Sequence, residues 1–213
     1  LHLALPMIFI LLVSLAWSSG SGISDILGIG AWLGKLFDYD FIQSRNGSVW
    51  VDYLGAVIGT GFLVAGYGTN AGHELCHRLQ NRIAIIESRW LLSASCNADF
   101  TIEHVFGHHF TVGTEDDPAT ARRGENIYKF FPRSTIMGHI SAWKLELKRL
   151  KKKHQSPWFV HNKMFTGYAM SLCWIGIFYA AAGLFSVILF LGQAFLAKFL
   201  FEAVNYMEHY GLY

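Results

Sequence analysis

The feature that most constrains this chain is a run of about 40 residues, from Met164 to Val204, whose only charged side chains are Lys198 and Glu202. One membrane-spanning helix needs about 20 apolar residues, so this run is twice the length of a single span. Gly183 or Gly192 offers a place for the chain to turn. The run therefore predicts a helical hairpin embedded in a membrane.

Two earlier segments are also apolar enough to span a bilayer, Leu1–Trp17 and Val49–Ala71. Hydrophobic residues make up 53% of the chain and charged residues only 15%, against about 25% in a soluble domain. We therefore expect an all-α integral membrane protein with a single membrane domain over residues 1–213. The predicted transmembrane helices are four, at about residues 1–18, 49–71, 164–182 and 184–204.

The positive charges are unevenly distributed between the predicted loops. Of the 17 lysines and arginines, all except Lys35, Arg45 and Lys198 lie in the segments 78–89 and 122–163. Since basic loops stay on the cytoplasmic side, region 72–163 is predicted to be cytoplasmic. The net charge of +2 is too small to indicate a nucleic-acid partner.

Two histidine motifs lie in the predicted cytoplasmic region. The segment GHELCHR follows the second span and places His73 and His77 four residues apart, on one face of a helix. The segment EHVFGHH places His104 and His108 at the same spacing, with His109 about 100° further round the helix. Imidazoles at this spacing can bind one metal ion, so the two motifs predict a metal site.

A sixth histidine, His209, lies in the segment NYMEHYGL, where the fourth predicted span ends on the same side. Six imidazoles exceed what one tetrahedral zinc ion can use, so a pair of metal ions is predicted. Imidazole suits iron, copper, zinc or nickel, and iron is favoured if the chemistry is oxidative. Six polar side chains beside the motifs are candidates to orient the imidazoles from outside the ligand set: Glu74, Glu103, Asp116, Asp117, Asn205 and Glu208.

Four histidines match no ligand spacing and are interpreted as solvated or interfacial: His2, His139, His154 and His161. The basic stretch Ala142–Lys153 is compatible with a solvated helix. It is equally compatible with a helix that lies on anionic headgroups or binds an acidic partner.

The histidine motifs resemble those of the integral-membrane alkane 1-monooxygenases, which are di-iron enzymes related to membrane desaturases and xylene monooxygenase. The matching segments are HELCHR, EHVFGHHFTVGTEDDPATAR and NYMEHYGL. The second is the most specific, because its EHxxGHH core continues as T-x-x-D-P-A-x-x-R. The resemblance implies two iron ions, O2 as co-substrate and the following ligands: His73, His77, His104, His108, His109 and His209.

The same resemblance implies an activity and its partners. Members of the family hydroxylate the terminal carbon of an alkane taken from the bilayer, which gives a primary alcohol. Their electrons come from rubredoxin, which is reduced by a rubredoxin reductase. The implied location is the bacterial inner membrane, among its lipids, with the histidine site on the cytoplasmic side.

The sequence departs from the family pattern at three points. Arg78 stands where lysine is common, which preserves the charge. The family has six spans where four are predicted here, and it carries a further HSDHH-like box with three more histidine ligands. We therefore expect this sequence to be an internal fragment that does not assemble the full di-iron site alone.

Three other functions remain open. A related di-iron hydroxylase or desaturase would act on fatty acyl or xylene-type substrates. An intramembrane zinc protease would use His73 and His77 as ligands and Glu74 as general base. A metal transporter or a membrane scaffold would carry histidine-lined cavities within its spans.

Overall fold

The computed structural model describes residues 1–212, apart from the side chain of Ile26, and every regular element in this part of the chain is helical. The N-terminal elements are α1 (Ala4–Ser18), a 3₁₀ turn (Ile26–Gly28), α2 (Ile29–Phe37) and α3 (Phe41–Asn46). The helical class is as predicted.

The next helix is continuous over Trp50–Cys76. It consists of α4 (Trp50–Leu63), a π-helical segment (Val64–Thr69) and α5 (Asn70–Cys76). The carboxylate of Asp52 accepts a hydrogen bond from the backbone N–H of Val49 at 2.8 Å, which satisfies one free donor at the start of α4.

Three of the remaining helices begin at asparagine caps. The other elements are α6 (Arg82–Ser93), α7 (Phe100–Glu103), a second π-helical segment (His104–His108), α8 (His109–Thr111), α9 (Ile127–Lys152), a 3₁₀ turn (Phe159–His161) and α10 (Lys163–His209). The side chains of Asn81, Asn126 and Asn162 accept backbone N–H groups in the first turns of α6, α9 and α10. Asparagine at this position is among the strongest signals for a helix start.

Helix α10 reverses direction at Ala182 and Gly183. Gly183 has φ 67° and ψ −151°, a conformation open to glycine but not to residues with a Cβ atom. The rings of Phe178 and Phe190 are 5.0 Å apart, whereas a straight helix would separate them by about 18 Å. The break lies between the segments 164–182 and 184–204, so α10 has the hairpin shape that the sequence predicts.

Two helices in the described part of the chain are long and apolar enough to cross a membrane, Trp50–Cys76 and Lys163–His209. Helix α1 is also apolar but has only 15 residues. These helices agree with a membrane protein. The count of four spans and the cytoplasmic position of region 72–163 stay predictions.

The main hydrophobic core joins α1, α5, α6 and both halves of α10. Leu12 of α1, Leu75 of α5, Leu91 of α6 and Phe190 of α10 are all fully buried there. The first histidine motif is thus anchored to the apolar bundle, because α5 carries His73 and Leu75 together.

Helices α5 and α6 approach closely at Gly72. The hydroxyl of Ser88 donates a 2.6 Å hydrogen bond to the Gly72 carbonyl. A Cβ atom at Gly72 would lie 3.0 Å from Cγ of Leu92, so a larger residue would push the helices apart. This contact fixes the position of the neighbouring His73.

Candidate metal centre

The first histidine motif lies at the end of α5. His73 is half-buried, and His77 is exposed at the helix terminus, where it is the C-cap residue. Their rings are 5.1 Å apart, as the i, i+4 spacing predicts. Both point their Nε2 atoms toward His104 of the second motif.

The second motif is π-helical, and this changes which of its histidines act together. The sequence predicts that His104 and His108 form the pair, with His109 offset by 100°. In a π-turn the repeat is i to i+5, so His109 lies above His104, and their Nε2 atoms are 3.1 Å apart. His108 stacks on His104 with ring centres 5.1 Å apart, but its polar contact is with Asp117.

Four imidazoles therefore converge. Nε2 of His104 lies 2.7 Å from Nε2 of His73, 3.2 Å from that of His77 and 3.1 Å from that of His109. Two nitrogens at right angles, each about 2.1 Å from one metal ion, are about 3.0 Å apart. The ligand atoms of His73, His77 and His104 all lie within 4.8 Å of one another. This donor set fits a metal that prefers imidazole.

The surroundings keep His104 and His109 neutral. Burial, together with the positive charge that adjacent imidazoles can carry, lowers the pKa of His104 to about 2. Burial and the neighbouring His77 also lower the pKa of His109. A neutral imidazole keeps the lone pair that binds a metal, so both residues are in the form a ligand requires.

His108 is held by Asp117. Its Nδ1 lies 2.9 Å from Oδ2 of Asp117, which also accepts from the hydroxyl of Thr120, and Oδ1 accepts from the N–H of Ala119 at 3.1 Å. Burial opposes the charged form of His108, but the hydrogen bond and charge of Asp117 outweigh it and raise its pKa. The contact places the Nδ1 proton against the carboxylate and leaves Nε2 as the metal-binding atom.

His209 lies next to His108, with ring centres 4.8 Å apart. Its Nδ1 donates to the carbonyl of Asn205 at 2.8 Å, which again leaves Nε2 available. His108 and His209 form a second group of imidazoles beside the first. The assignment of all six histidines as ligands stays a prediction, but the structure brings them into one region.

Of the six side chains expected to orient the imidazoles, only that of Asp117 contacts an imidazole among the described residues. Asn205 holds His209 through its backbone carbonyl, while its side-chain amide lies 3.4 Å from Glu202. Glu103 is buried, and burial raises its pKa to about 7. Three others are exposed, and no hydrogen bond joins them to an imidazole within residues 1–212: Glu74, Asp116 and Glu208.

One interpretation of the sequence needs correction. His139 is not simply a solvated residue, because its Nδ1 lies 2.8 Å from Oδ2 of Asp99 and its Nε2 lies 2.8 Å from the hydroxyl of Tyr168. His154 and His161 are exposed, as interpreted. No local spacing could reveal the contacts of His139, since its partners are 40 and 29 residues away.

The chain matches the family model described as fatty acid desaturase over residues 48–212. It is 35% identical to alkane 1-monooxygenase 2 of Pseudomonas aeruginosa over 188 residues, which cover 88% of this chain and 48% of the relative. It is 35% identical to alkane 1-monooxygenase 2 of Alcanivorax borkumensis over 182 residues, 85% of this chain and 47% of the relative. A xylene/toluene monooxygenase hydroxylase component of Pseudomonas putida is 33% identical over 143 residues, 66% of this chain and 38% of the relative.

The chain thus spans about half the length of the curated alkane monooxygenases it matches. The matched region includes both helical histidine motifs and His209. Similarity to several alkane 1-monooxygenases confirms the resemblance predicted from these motifs. The chain belongs to the fatty acid desaturase family.

Proposed function

We propose that the complete protein catalyses O2-dependent terminal hydroxylation of alkanes to primary alcohols at a histidine-ligated di-iron site. The observation that carries this proposal is the convergence of three Nε2 atoms on that of His104, beside the second imidazole group of His108 and His209. Two neighbouring imidazole groups favour two metal ions over one.

Iron fits both the imidazole ligands of this site and the oxidative chemistry of the monooxygenases that this chain resembles. A structural zinc site is closed by four ligands, whereas an oxygenase needs positions for O2 beside its imidazoles. When bound, the two irons would supply the O2-activating chemistry. The protein's own residues would hold the ligands, and Asp117 and the Asn205 carbonyl would set the tautomers of His108 and His209.

The reaction consumes an alkane, O2, two electrons and two protons, and yields an alcohol and water. We infer that the alkane enters from the bilayer, because the site lies at the ends of the long apolar helices Trp50–Cys76 and Lys163–His209.

The proposed membrane is the bacterial inner membrane, with the imidazoles on its cytoplasmic side. Cysteine labelling tests this orientation. The exposed residues Lys151 and Asp38 are replaced by Cys one at a time, and each variant is treated from either side of the membrane with a thiol reagent that cannot cross it.

The proposed electron donor is rubredoxin, itself reduced by a rubredoxin reductase. The C-terminal part of α9 presents exposed lysines that suit an acidic partner: Lys148, Lys151 and Lys152. Arg149 is not free for such a contact, because it pairs with the buried Glu146 at 2.6 Å.

Two alternatives act on other substrates or by another mechanism. The xylene/toluene relative and the desaturase family favour a related di-iron reaction on aromatic methyl groups or fatty acyl chains. The zinc-protease alternative needs Glu74 near a metal-bound water. The side chain of Glu74 is 60% exposed and its carboxylate lies 4.0 Å from Arg78, while His104 lies against His73 and His109 lies against His77.

Product analysis tests the proposal. The purified complete protein, with rubredoxin, its reductase and NADH, is given octane, hexadecane, xylene and a fatty acid separately. We expect 1-octanol or 1-hexadecanol as the main product. Exclusive oxidation of xylene or desaturation of the fatty acid would replace the proposal by the corresponding alternative.

A further inference from the structure

A hydrogen-bonded triad lies outside the histidine cluster. The indole N–H of Trp143 donates to the hydroxyl of Tyr168 at 2.7 Å, and this hydroxyl lies 2.8 Å from Nε2 of His139. Because an indole nitrogen only donates, Tyr168 keeps its own proton for Nε2. Nδ1 of His139 then donates to Asp99 at 2.8 Å. The three side chains Asp99, His139 and Tyr168 form an ordered chain of proton donors and acceptors.

His139 faces both the outside and a cavity. Its side chain is 40% exposed, whereas that of Asp99 is only 18% exposed. The hydrogen bond to Asp99 raises the pKa of His139, with burial and the charge of Lys198 acting against it. His139 can therefore take up a proton at the surface and hold it next to the cavity.

The cavity is a chamber in two adjoining parts, of about 270 Å³ and about 30 Å³, whose wall mixes apolar side chains such as Ile136 and Met164 with polar ones. Both parts are lined by Asn97, Asp99, Thr135, His139 and Lys198. The amide nitrogen of Asn97 and the hydroxyl of Thr135 are buried and have no hydrogen-bond partner within the described residues. Buried polar atoms are normally satisfied, and the larger part has room for several waters, so the chamber suits a hydrogen-bonded water chain.

The smaller part of the chamber ends against the elements that carry the metal ligands. Its inner wall includes Glu103, which precedes His104, and Asn205, whose carbonyl holds His209. Glu202 also lies there and accepts hydrogen bonds from Ser134 at 2.6 Å and from Lys198 at 2.8 Å. The titratable and charged side chains that line the chamber with His139 lie on α7, with its N-cap residue, and on both halves of α10: Asp99, Glu103, Tyr168, Lys198 and Glu202.

We propose that His139, held by Asp99 and Tyr168, takes up the protons that the metal centre consumes and passes them inward along the polar groups that line this chamber. The inference rests on the proposed function, since hydroxylation uses two protons for each O2 reduced to one alcohol oxygen and one water. The two electrons come from the separate donor protein. For each proton released from its ring into the chamber, His139 takes another from the aqueous phase.

The first test measures turnover of the complete iron-loaded protein with octane. His139→Ala should lower the rate by roughly 10²-fold, leave the iron content unchanged and respond to added imidazole with partial recovery. Asp99→Asn, which keeps the shape of the triad, should lower the rate in the same direction. His161→Ala removes an exposed histidine without side-chain partners in the described structure and serves as the matched control.

A second measurement needs no iron. The titration of His139, followed by ¹⁵N NMR of the histidine-labelled iron-free protein, should have its midpoint above the ordinary value in wild type and lower in Asp99→Asn. Equal titration midpoints of His139 in wild type and Asp99→Asn would contradict the proposed role of Asp99 in holding His139. Full activity of His139→Ala in an active, iron-loaded protein would overturn the relay while leaving the function intact. Inactivity of the wild type on every alkane would instead refute the function.

Discussion

Substitution of Asp117 by Asn should weaken metal binding at the second imidazole group. Asp117 is 2% exposed and accepts three hydrogen bonds, two at Oδ2 and one at Oδ1. An amide can accept at only one of these two positions. If its oxygen faces His108, its NH2 group meets the N–H of Ala119. If the amide is reversed, its NH2 group meets the Nδ1 proton of His108.

Either orientation sets two donors against each other in a buried position. Such an unpaired donor costs about 1–3 kcal/mol. Loss of a carboxylate behind a metal-binding imidazole typically reduces metal affinity by about 10–100-fold, which corresponds to about 1.4–2.8 kcal/mol. We expect an affinity loss in this range for the iron at the second imidazole group, that of His108 and His209. Binding at the four-imidazole group around His104 should be unaffected.

The assay is a competitive iron titration of the complete protein, with thermal unfolding followed in parallel. Asp116→Asn is the matched control, because it makes the same chemical change at the adjacent, exposed residue. If Asp117→Asn and Asp116→Asn bind both irons with equal affinity, Asp117 does not hold His108 as a ligand.

Three further changes have expected outcomes. Gly72→Ala should cost about 1–3 kcal/mol of stability, because its methyl group would lie 3.0 Å from Leu92 of α6, and the melting temperature should fall. Gly55→Ala has open space around the new methyl group and should not lower the melting temperature. Replacing Lys148 and Lys152 by Gln should weaken the salt dependence of electron transfer from rubredoxin; an unchanged salt dependence removes this docking surface. Glu125→Gln should lower the melting temperature at pH 7, and the difference should vanish as the pH falls through the folded-state pKa, which hydrogen bonds from an arginine hold below the ordinary value of Glu. A pH-independent difference would contradict that interpretation.

Much of the fold is predictable because the hydrophobic segments are long. The run Met164–Val204 is too long for one span, and Gly183 supplies the reversal at the place the sequence suggests. The histidine pair of α5 is equally predictable, since an i, i+4 spacing on a regular helix fixes which side chains meet.

The geometry of the second histidine motif is harder to predict from the sequence, because its hydrogen bonding departs from the α-helical repeat. A π-turn over His104–His108 pairs His104 with His109, and sequence spacing cannot distinguish a π-turn from an α-helical turn. The triad around His139 depends on residues from three separate segments. Its partners, Asp99 and Tyr168, follow from tertiary packing alone.

The central claim is a histidine-ligated pair of irons, and metal analysis of the purified complete protein tests it most directly. We predict two irons per chain with little zinc, and a loss of iron when His104, the centre of the four-imidazole group, is replaced by Ala. One zinc per chain with no iron, or an unchanged iron content in His104→Ala, would contradict the account.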